Sequence, residues 1–235
     1  MNILAIDTSN QVLGIAIVKD NKPIGEMKTN LAKNHSVRLM PAIDQLMRDV
    51  SITPDELDQI VVAKGPGSYT GVRIGLATAK SMAWALEIPV IGVSSLEVLA
   101  YQGRFFNGYI CPFFDARRGL VYSAVYEWKN GQPEVVYKEE NLLMADLLES
   151  LAKEDKPVLF LSPDIDIYME AINTQLGKQA VIPELAYQVA DASHLVLAGT
   201  RKQAEPTHAL TPNYLRLAEA EAKWLKQQKE QQNNE

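Results

Sequence analysis

The chain has 235 residues, a net charge of −6, 47% hydrophobic residues and 22% charged ones. Such a make-up fits a globular protein with a real core, long enough for one large domain or two of ordinary size. The acidic balance argues against a stand-alone nucleic-acid binder, because neutralising phosphates takes clustered Lys and Arg; if RNA is involved, a partner carries most of the contact. The single cysteine, Cys111, excludes a disulfide framework and a cysteine metal cluster. It sits in the apolar run Tyr109-Ile110-Cys111-Pro112-Phe113 and reads as an inert buried thiol. No apolar stretch is long enough to cross a bilayer. Asp7 interrupts the N-terminal apolar run and no basic segment precedes it, unlike a signal peptide. A cytoplasmic location with no membrane contact is expected.

In chain order, strands are predicted at 2–8, 11–19 and 23–29, each rich in Ile, Val or Leu. A helix over 36–50 follows, with Leu39, Ile43, Leu46 and Val50 at helical spacing. Next come a strand at 59–63, a glycine-rich loop, a helix over 71–86, a strand at 89–93 and a short helix from Ser95 to Tyr101. The second half repeats that order: strands at 108–114, 120–128 and 133–138, a helix over 144–153, a strand at 158–161, and helices over 165–176 and 186–200 flanking a short strand near Val181. Asn130-Gly131 is a hairpin signal between the second and third of these strands. The expected class is α/β, two tandem βββαβαβα (ribonuclease-H-like) units: residues 1–105 form one lobe and 106–202 the other. Residues 203–235 read as a linker with two prolines and a polar C-terminal helix whose end frays.

Asp7-Thr8-Ser9 ends the first strand. An Asp beside two hydroxyls at such a junction can position a phosphate or a hydrated metal, or simply close an Asx or Ser/Thr turn. Gly65-Pro66-Gly67-Ser68-Tyr69-Thr70-Gly71 precedes a helix and could cradle an anion with its backbone N–H groups, although no Lys-Ser/Thr pair makes it a Walker A loop. The alternative is a tight turn whose glycines let two helices approach closely. The helix after it has only Arg73 and Lys80 as charges and is apolar nearly all round, so it is internal or half of an interface. On the helix before it, Met40 and Met47 lie on a second face, as adaptable packing groups at a docking site or as core filler. Leu39, Met40, Ile43 and Met47, with Val72, Leu76, Ala79 and Ala83, are therefore the candidate partner interface. Catalytic constellations are scarce. His35, His194 and His208 have no metal-ligand spacing, and neither a Gly-x-Ser-x-Gly elbow nor a Cys–His pairing is present. Arg117 and Arg118 in the turn Asp115-Ala116-Arg117-Arg118-Gly119 could hold a phosphate or a partner carboxylate, or sit in a solvated hairpin.

The doubled element order with Asp-Thr-Ser after the first strand resembles the actin, Hsp70 and sugar-kinase superfamily. Within it the chain is similar, over nearly its whole length, to the TsaB (older name YeaZ) family. The residues that carry the resemblance are 3–9, Asn34-His35-Ser36 with Leu39 and Pro41, and above all Gly65-Pro66-Gly67-Ser68-Tyr69-Thr70-Gly71-Val72-Arg73-Ile74-Gly75. Ser94-Ser95-Leu96-Glu97, Asp115-Ala116-Arg117-Arg118 and Pro212-Asn213-Tyr214-Leu215-Arg216 complete it.

The resemblance implies a non-catalytic subunit that works with its paralogue TsaD and the ATPase TsaE. Together they place a threonylcarbamoyl group on adenosine 37 of tRNAs reading codons that begin with A. TsaD would carry the catalysis, ATP and metal would belong to TsaD and TsaE, and tRNA would be met only through the complex. TsaD-like proteins hold a metal with His-x-x-x-His; the matching positions here are Ser95 and Leu99, which cannot replace imidazoles. The second phosphate turn reads Asp115-Ala116-Arg117-Arg118, and the adenosine loop falls near Leu161-Ser162-Pro163-Asp164, where relatives carry glycines. Asp7, Thr8 and Ser9 are thus expected to be a vestigial phosphate site, with no cofactor bound by this chain alone. The resemblance further implies a homodimer when TsaD is absent. The competing readings are a stand-alone ATPase or phosphotransferase of the superfamily, a peptidase, for which no nucleophile–base pair is visible, and a purely structural dimer.

Overall fold

Both faces of the first strand are apolar: Leu4 and Ile6 point to one side, Ile3 and Ala5 to the other. A strand of this kind belongs at the centre of a sheet covered on both faces. The computed structural model describes residues 1–31 and 34–215, and it puts β1 (Asn2–Asp7) at that centre. Antiparallel β2 (Val12–Lys19) and β3 (Lys22–Asn30) extend the sheet on one side. After α1 (His35–Asp49), parallel β4 (Gln59–Ala63) pairs with β1; after α2 (Tyr69–Ala85), β5 (Val90–Val93) pairs with β4. The order is β3-β2-β1-β4-β5, and α3 (Ser95–Ala100) ends the unit.

The second half repeats this plan with β6 (Tyr109–Asp115), β7 (Leu120–Lys129), β8 (Gln132–Leu143), α4 (Met144–Leu151), β9 (Val158–Leu161), α5 (Ile165–Leu176), β10 (Ala180–Val181) and α6 (Ser193–Gly199). Its sheet order, β10-β9-β6-β7-β8, is the same topology, so the expected pair of ribonuclease-H-like units is the observed architecture. Asn130 and Gly131, at φ 52° and 76°, make the two-residue hairpin between β7 and β8.

One face of the first sheet is covered by α1 and α2, through Leu39, Ile43, Leu46, Met47, Val72, Leu76, Ala79 and Ala83. The other face is covered by α6 of the second half, whose Leu195, Val196 and Ala198 pack with Ile3, Ala5, Val61 and Val93. In return α3 buries Leu96, Leu99 and Ala100 against Ile110, Phe114, Ala124 and Leu161 of the second half. Each unit therefore lends its last helix to the interface between the lobes.

Across the division at residues 105 and 106, α6 packs on the first sheet. Two expectations need correction. The helix expected over 186–200 begins only at Ser193: Gln188 accepts a bond from Ser162 N and donates to the Pro183 carbonyl, which pins the preceding segment as a loop. Residues 203–215 are a strap on the first lobe rather than a linker. Glu205 forms an antiparallel bridge with Val90, Leu210 is buried in the first core, and Lys80 Nζ donates to the Leu210 carbonyl at 2.8 Å. The polar C-terminal helix expected beyond residue 215 lies outside the described residues. No helix among the described residues is long and apolar enough to cross a membrane.

Candidate functional site

The Asp7-Thr8-Ser9 turn sits where β1 meets the N-terminus of α2, and its polar groups are committed to each other. Asp7 Oδ1 accepts from Ser9 N at 2.8 Å and Ser9 Oγ at 2.7 Å. Burial raises the Asp7 pKa; the Ser9 bonds and the nearby His35 oppose that shift. Buried Thr8 donates its hydroxyl hydrogen to the Gly71 carbonyl at 2.7 Å, and Ser68 N donates to the Ser9 carbonyl at 2.7 Å.

The glycines of the motif permit this approach. A Cβ at Gly67 would stand 2.2 Å from Ser9 O, one at Gly71 2.2 Å from Thr8 O, and one at Gly75 2.6 Å from Thr8 Oγ1. Gly65, at φ 91°, supplies the left-handed bend that starts the loop, and the Gly65–Pro66 bond is cis. The glycines do permit a close approach, but of the β1–β2 turn rather than of the second helix expected. Ser68 caps α2 by accepting from Gly71 N. His35, in the first turn of α1, bonds the Asn10 carbonyl through Nε2 at 2.7 Å and so ties a third element to the same turn.

Between the lobes lies a cleft of about 700 Å³, lined by Asn10, His35, Ser68, Tyr69 and Thr70 on one side and Asp115, Arg117, Tyr122 and Asp164 on the other. Asp115 Oδ1 accepts from Tyr168 Oη at 2.7 Å and from Arg117 N at 3.1 Å. Asp164 Oδ2 accepts from Asp115 N at 2.9 Å; its pKa is raised by burial and by the Asp115 charge, against that bond. Arg117 and Arg118 both adopt left-handed φ, 67° and 58°, and their side chains are exposed. The far wall therefore presents two carboxylates with one guanidinium, a poor counterpart for a polyphosphate.

Beneath the cleft, Asp7, Asn10, Ser95, Leu99 and Phe114 line a cavity of about 20 Å³, room for about one water. Ser95 Oγ is buried there without a hydrogen-bond partner among the described residues. The residues present fit a divalent cation poorly: the Asp7 carboxylate is bonded to Ser9, Asn10 adds one amide and Ser95 one hydroxyl, and the rest of the lining is apolar. Among the described residues no group of three or more His, Cys, Asp or Glu converges as a metal cluster. Cys111 is buried with its thiol pushed up to about 12 by desolvation, only partly opposed by Ser123.

The expected partner interface is corrected in its residues. Leu39, Ile43, Met47, Val72, Leu76, Ala79 and Ala83 all lie in the chain's own core, since they are the inward face that binds α1 and α2 to the sheet. Only Met40 of that set is exposed, at 48%. The outward face is made by Val37, Met40 and Pro41 on α1 and by Thr70, Arg73, Ala77, Ser81 and Trp84 on α2, with Trp84 69% exposed. At its N-terminal end Arg73 lies 3.7 Å over the Tyr69 ring and donates from Nε to Tyr214 Oη at 2.6 Å; the two rings stack at 5.5 Å. Trp84 and Val37 escaped the reading of the sequence. Their signal was the wheel of each helix: once Gly71, Gly75 and Ala79 point inward, Ala77, Ser81 and Trp84 must point out.

A sequence model of the family described as "TsaD: tRNA N6-adenosine threonylcarbamoyltransferase" matches residues 21–232. The tRNA threonylcarbamoyladenosine biosynthesis protein TsaB of Bacillus subtilis is 52% identical over 97% of this chain and 100% of its own length. The TsaB protein of Escherichia coli is 32% identical over 60% of this chain and 64% of its own. Among solved structures, YeaZ from Pseudomonas aeruginosa superposes with a TM-score of 0.78 at 23% identity, covering 91% of this chain and 99% of that one, a likeness of fold. A second structure from that organism, described by its similarity to "peptidase YEAZ", has a TM-score of 0.77. The sequence match over the full length of a relative, on a fold with this doubled topology, shows that the chain belongs to the TsaB (YeaZ) family, relatives of TsaD.

Proposed function

We propose that the chain is a non-catalytic partner subunit of tRNA threonylcarbamoyladenosine synthesis, required with TsaD and TsaE for threonylcarbamoyl transfer to adenosine 37. The observation that carries this reading is the filling of the place where TsaD-like proteins hold their metal. Ser95 and Leu99, in the first turns of α3, are buried in the contact between the lobes, beside a cavity with room for about one water. Ser95 and Leu99 stand in place of imidazoles and leave little room, so on this reading the chemistry falls to TsaD. The retained Asp7-Thr8-Ser9 turn works as a brace between β1 and α2.

On this reading the chain works in the cytoplasm, binds no cofactor alone, and contributes the outward face of α1 and α2 as its docking surface. Met40, Val37 and Trp84 are exposed apolar anchors, while Ala77 and Ser81 are small enough for a partner helix to approach closely. Without TsaD the same face pairs two copies of this chain; with TsaD the heterodimer replaces that pair. Light scattering on the purified chain, alone and with equimolar TsaD, should give a homodimer that converts to a heterodimer. A chain that stays monomeric and ignores TsaD would remove the proposal.

The 700 Å³ cleft, with Ser68, Thr70 and the glycine loop on one wall, favours one second reading, a stand-alone ATPase or phosphotransferase. ATP with magnesium raising the melting temperature of the single chain would support it. The paired Asp115 and Asp164 facing that cleft argue the other way.

A further inference from the structure

The guanidinium of Arg73 is held on two sides at the edge of the α2 face. Tyr69, four residues earlier on the same helix, lies under it at 3.7 Å, and Tyr214 of the strap takes its Nε hydrogen at 2.6 Å. Tyr214 is itself set in place by its neighbour: Asn213 N donates to the Lys64 carbonyl at 2.7 Å, and Asn213 Nδ2 donates to Glu139 Oε2 at 2.8 Å from the second lobe. Stacking and the Nε bond fix the plane of the group and the direction of its terminal nitrogens before anything binds. No carboxylate of the described residues lies within ion-pair distance of it, whereas Arg48 and Arg201 have Asp44 and Glu97.

We propose that Arg73, set between Tyr69 and Tyr214, is a preorganised fork that takes a carboxylate of the TsaD subunit, and that the 203–215 strap is the device that aims it. The proposal rests on the docking reading above and names the polar anchor of that same face. A planar guanidinium pairs with a carboxylate through two parallel hydrogen bonds, and holding it flat removes much of the ordering cost of forming them. The surroundings favour a protein over an RNA phosphate. Down the helix from Arg73 the face is Ala77, Ser81 and Trp84, over roughly 16 Å at 1.5 Å per residue, and the chain carries a net charge of −6. A cation without a carboxylate partner among the described residues, beside a stripe of small residues and Trp84 on an acidic protein, gives register and specificity to a helix-on-helix contact.

The test compares the affinity of full-length variants for purified cognate TsaD at low and moderate salt. Arg73→Lys keeps the charge and loses the fork; Tyr214→Phe keeps the stack and loses the acceptor that orients Nε. Arg73→Lys should weaken binding roughly tenfold or more while keeping its salt dependence, with Tyr214→Phe intermediate. Ala77→Arg, a steric block at the centre of the stripe, separates the two claims. If Ala77→Arg binds TsaD like the parent chain, the docking reading itself fails. If Ala77→Arg abolishes binding while Arg73→Lys and Tyr214→Phe bind like the parent, the face stands and the anchor is wrong. Unchanged TsaD affinity of Arg73→Lys, with weaker retention of tRNA by the assembled complex, would assign the fork to RNA and overturn the proposal.

Discussion

Thr8 Oγ1 donates to the carbonyl oxygen of Gly71 at 2.7 Å, so the hydroxyl placed to meet a phosphate is spent on the first turn of α2. The same contact explains Gly71, where a Cβ would stand 2.2 Å from the Thr8 carbonyl. Gly71→Ala should therefore destabilise the chain by about 2–3 kcal/mol, as overpacking against backbone does. Chemical denaturation reads this directly. A loss under about 0.5 kcal/mol would mean that the turn and the helix are not locked together.

Asp7 gives the matching test of the turn as brace rather than phosphate site. Burial raises its pKa, so the fold disfavours the charged form relative to the unfolded chain. Asn keeps the oxygen that Ser9 N and Oγ bond and removes the charge. Asp7→Asn should melt at the same or a higher temperature at pH 7 and support threonylcarbamoyl transfer at the parent rate. Loss of transfer in a well-folded Asp7→Asn chain would show that the carboxylate still handles phosphate or metal in the complex.

The inward and outward faces of α2 separate folding from docking. Ala83 is 1% exposed in the first core, whereas Ala77 faces solvent. Ala83→Arg should unfold the chain or leave it aggregated, because it buries an unpaired charge. Ala77→Arg should keep the parent circular dichroism and melting temperature while losing both self-association and TsaD. Equal folding of the two variants would contradict the assignment of the faces.

Much of this was legible in the sequence. Apolar runs such as Val158–Leu161 need burial on both faces, and Asn130-Gly131 fixes a two-residue hairpin, so element order and topology follow from local chemistry. The direction of α2 was not legible, because a helix of Gly, Ala, Ser and Thr has too little contrast between its faces. Leu39, Ile43 and Met47 read as a partner interface for the related reason that an apolar face looks the same whether a sheet or a partner covers it. The strap was missed because Leu210 is its one fully buried side chain, among prolines and polar residues whose backbone bonds do the rest. That Ser95 and Leu99 stand where TsaD-like proteins carry histidines was legible only through the family resemblance.

His194 should give the fold a specific acid sensitivity. Burial lowers its pKa to about 4, with Arg104 and Lys28 pressing the same way and Asp191 opposing. Arg104 Nη1 lies 2.9 Å from His194 Nε2, so Nε2 accepts and the ring is neutral. In the unfolded chain the imidazole takes its proton near pH 6.5. Between about pH 6.5 and 4 the unfolded state therefore binds more protons, and stability falls as the pH drops through that window. Urea midpoints at pH 7 and pH 5 should differ for the parent chain, with a smaller difference for His194→Gln. Equal pH dependence of the two would rule out this histidine as the source.

The central claim is that this chain supplies no chemistry and is nonetheless required. It is tested most directly by threonylcarbamoyl transfer to unmodified tRNA, with matched TsaD and TsaE, threonylcarbamoyl-adenylate supplied, and this chain present or omitted. The account expects transfer only when the chain is added and none from the chain alone. Full transfer without it, or turnover by the chain by itself, would contradict the account.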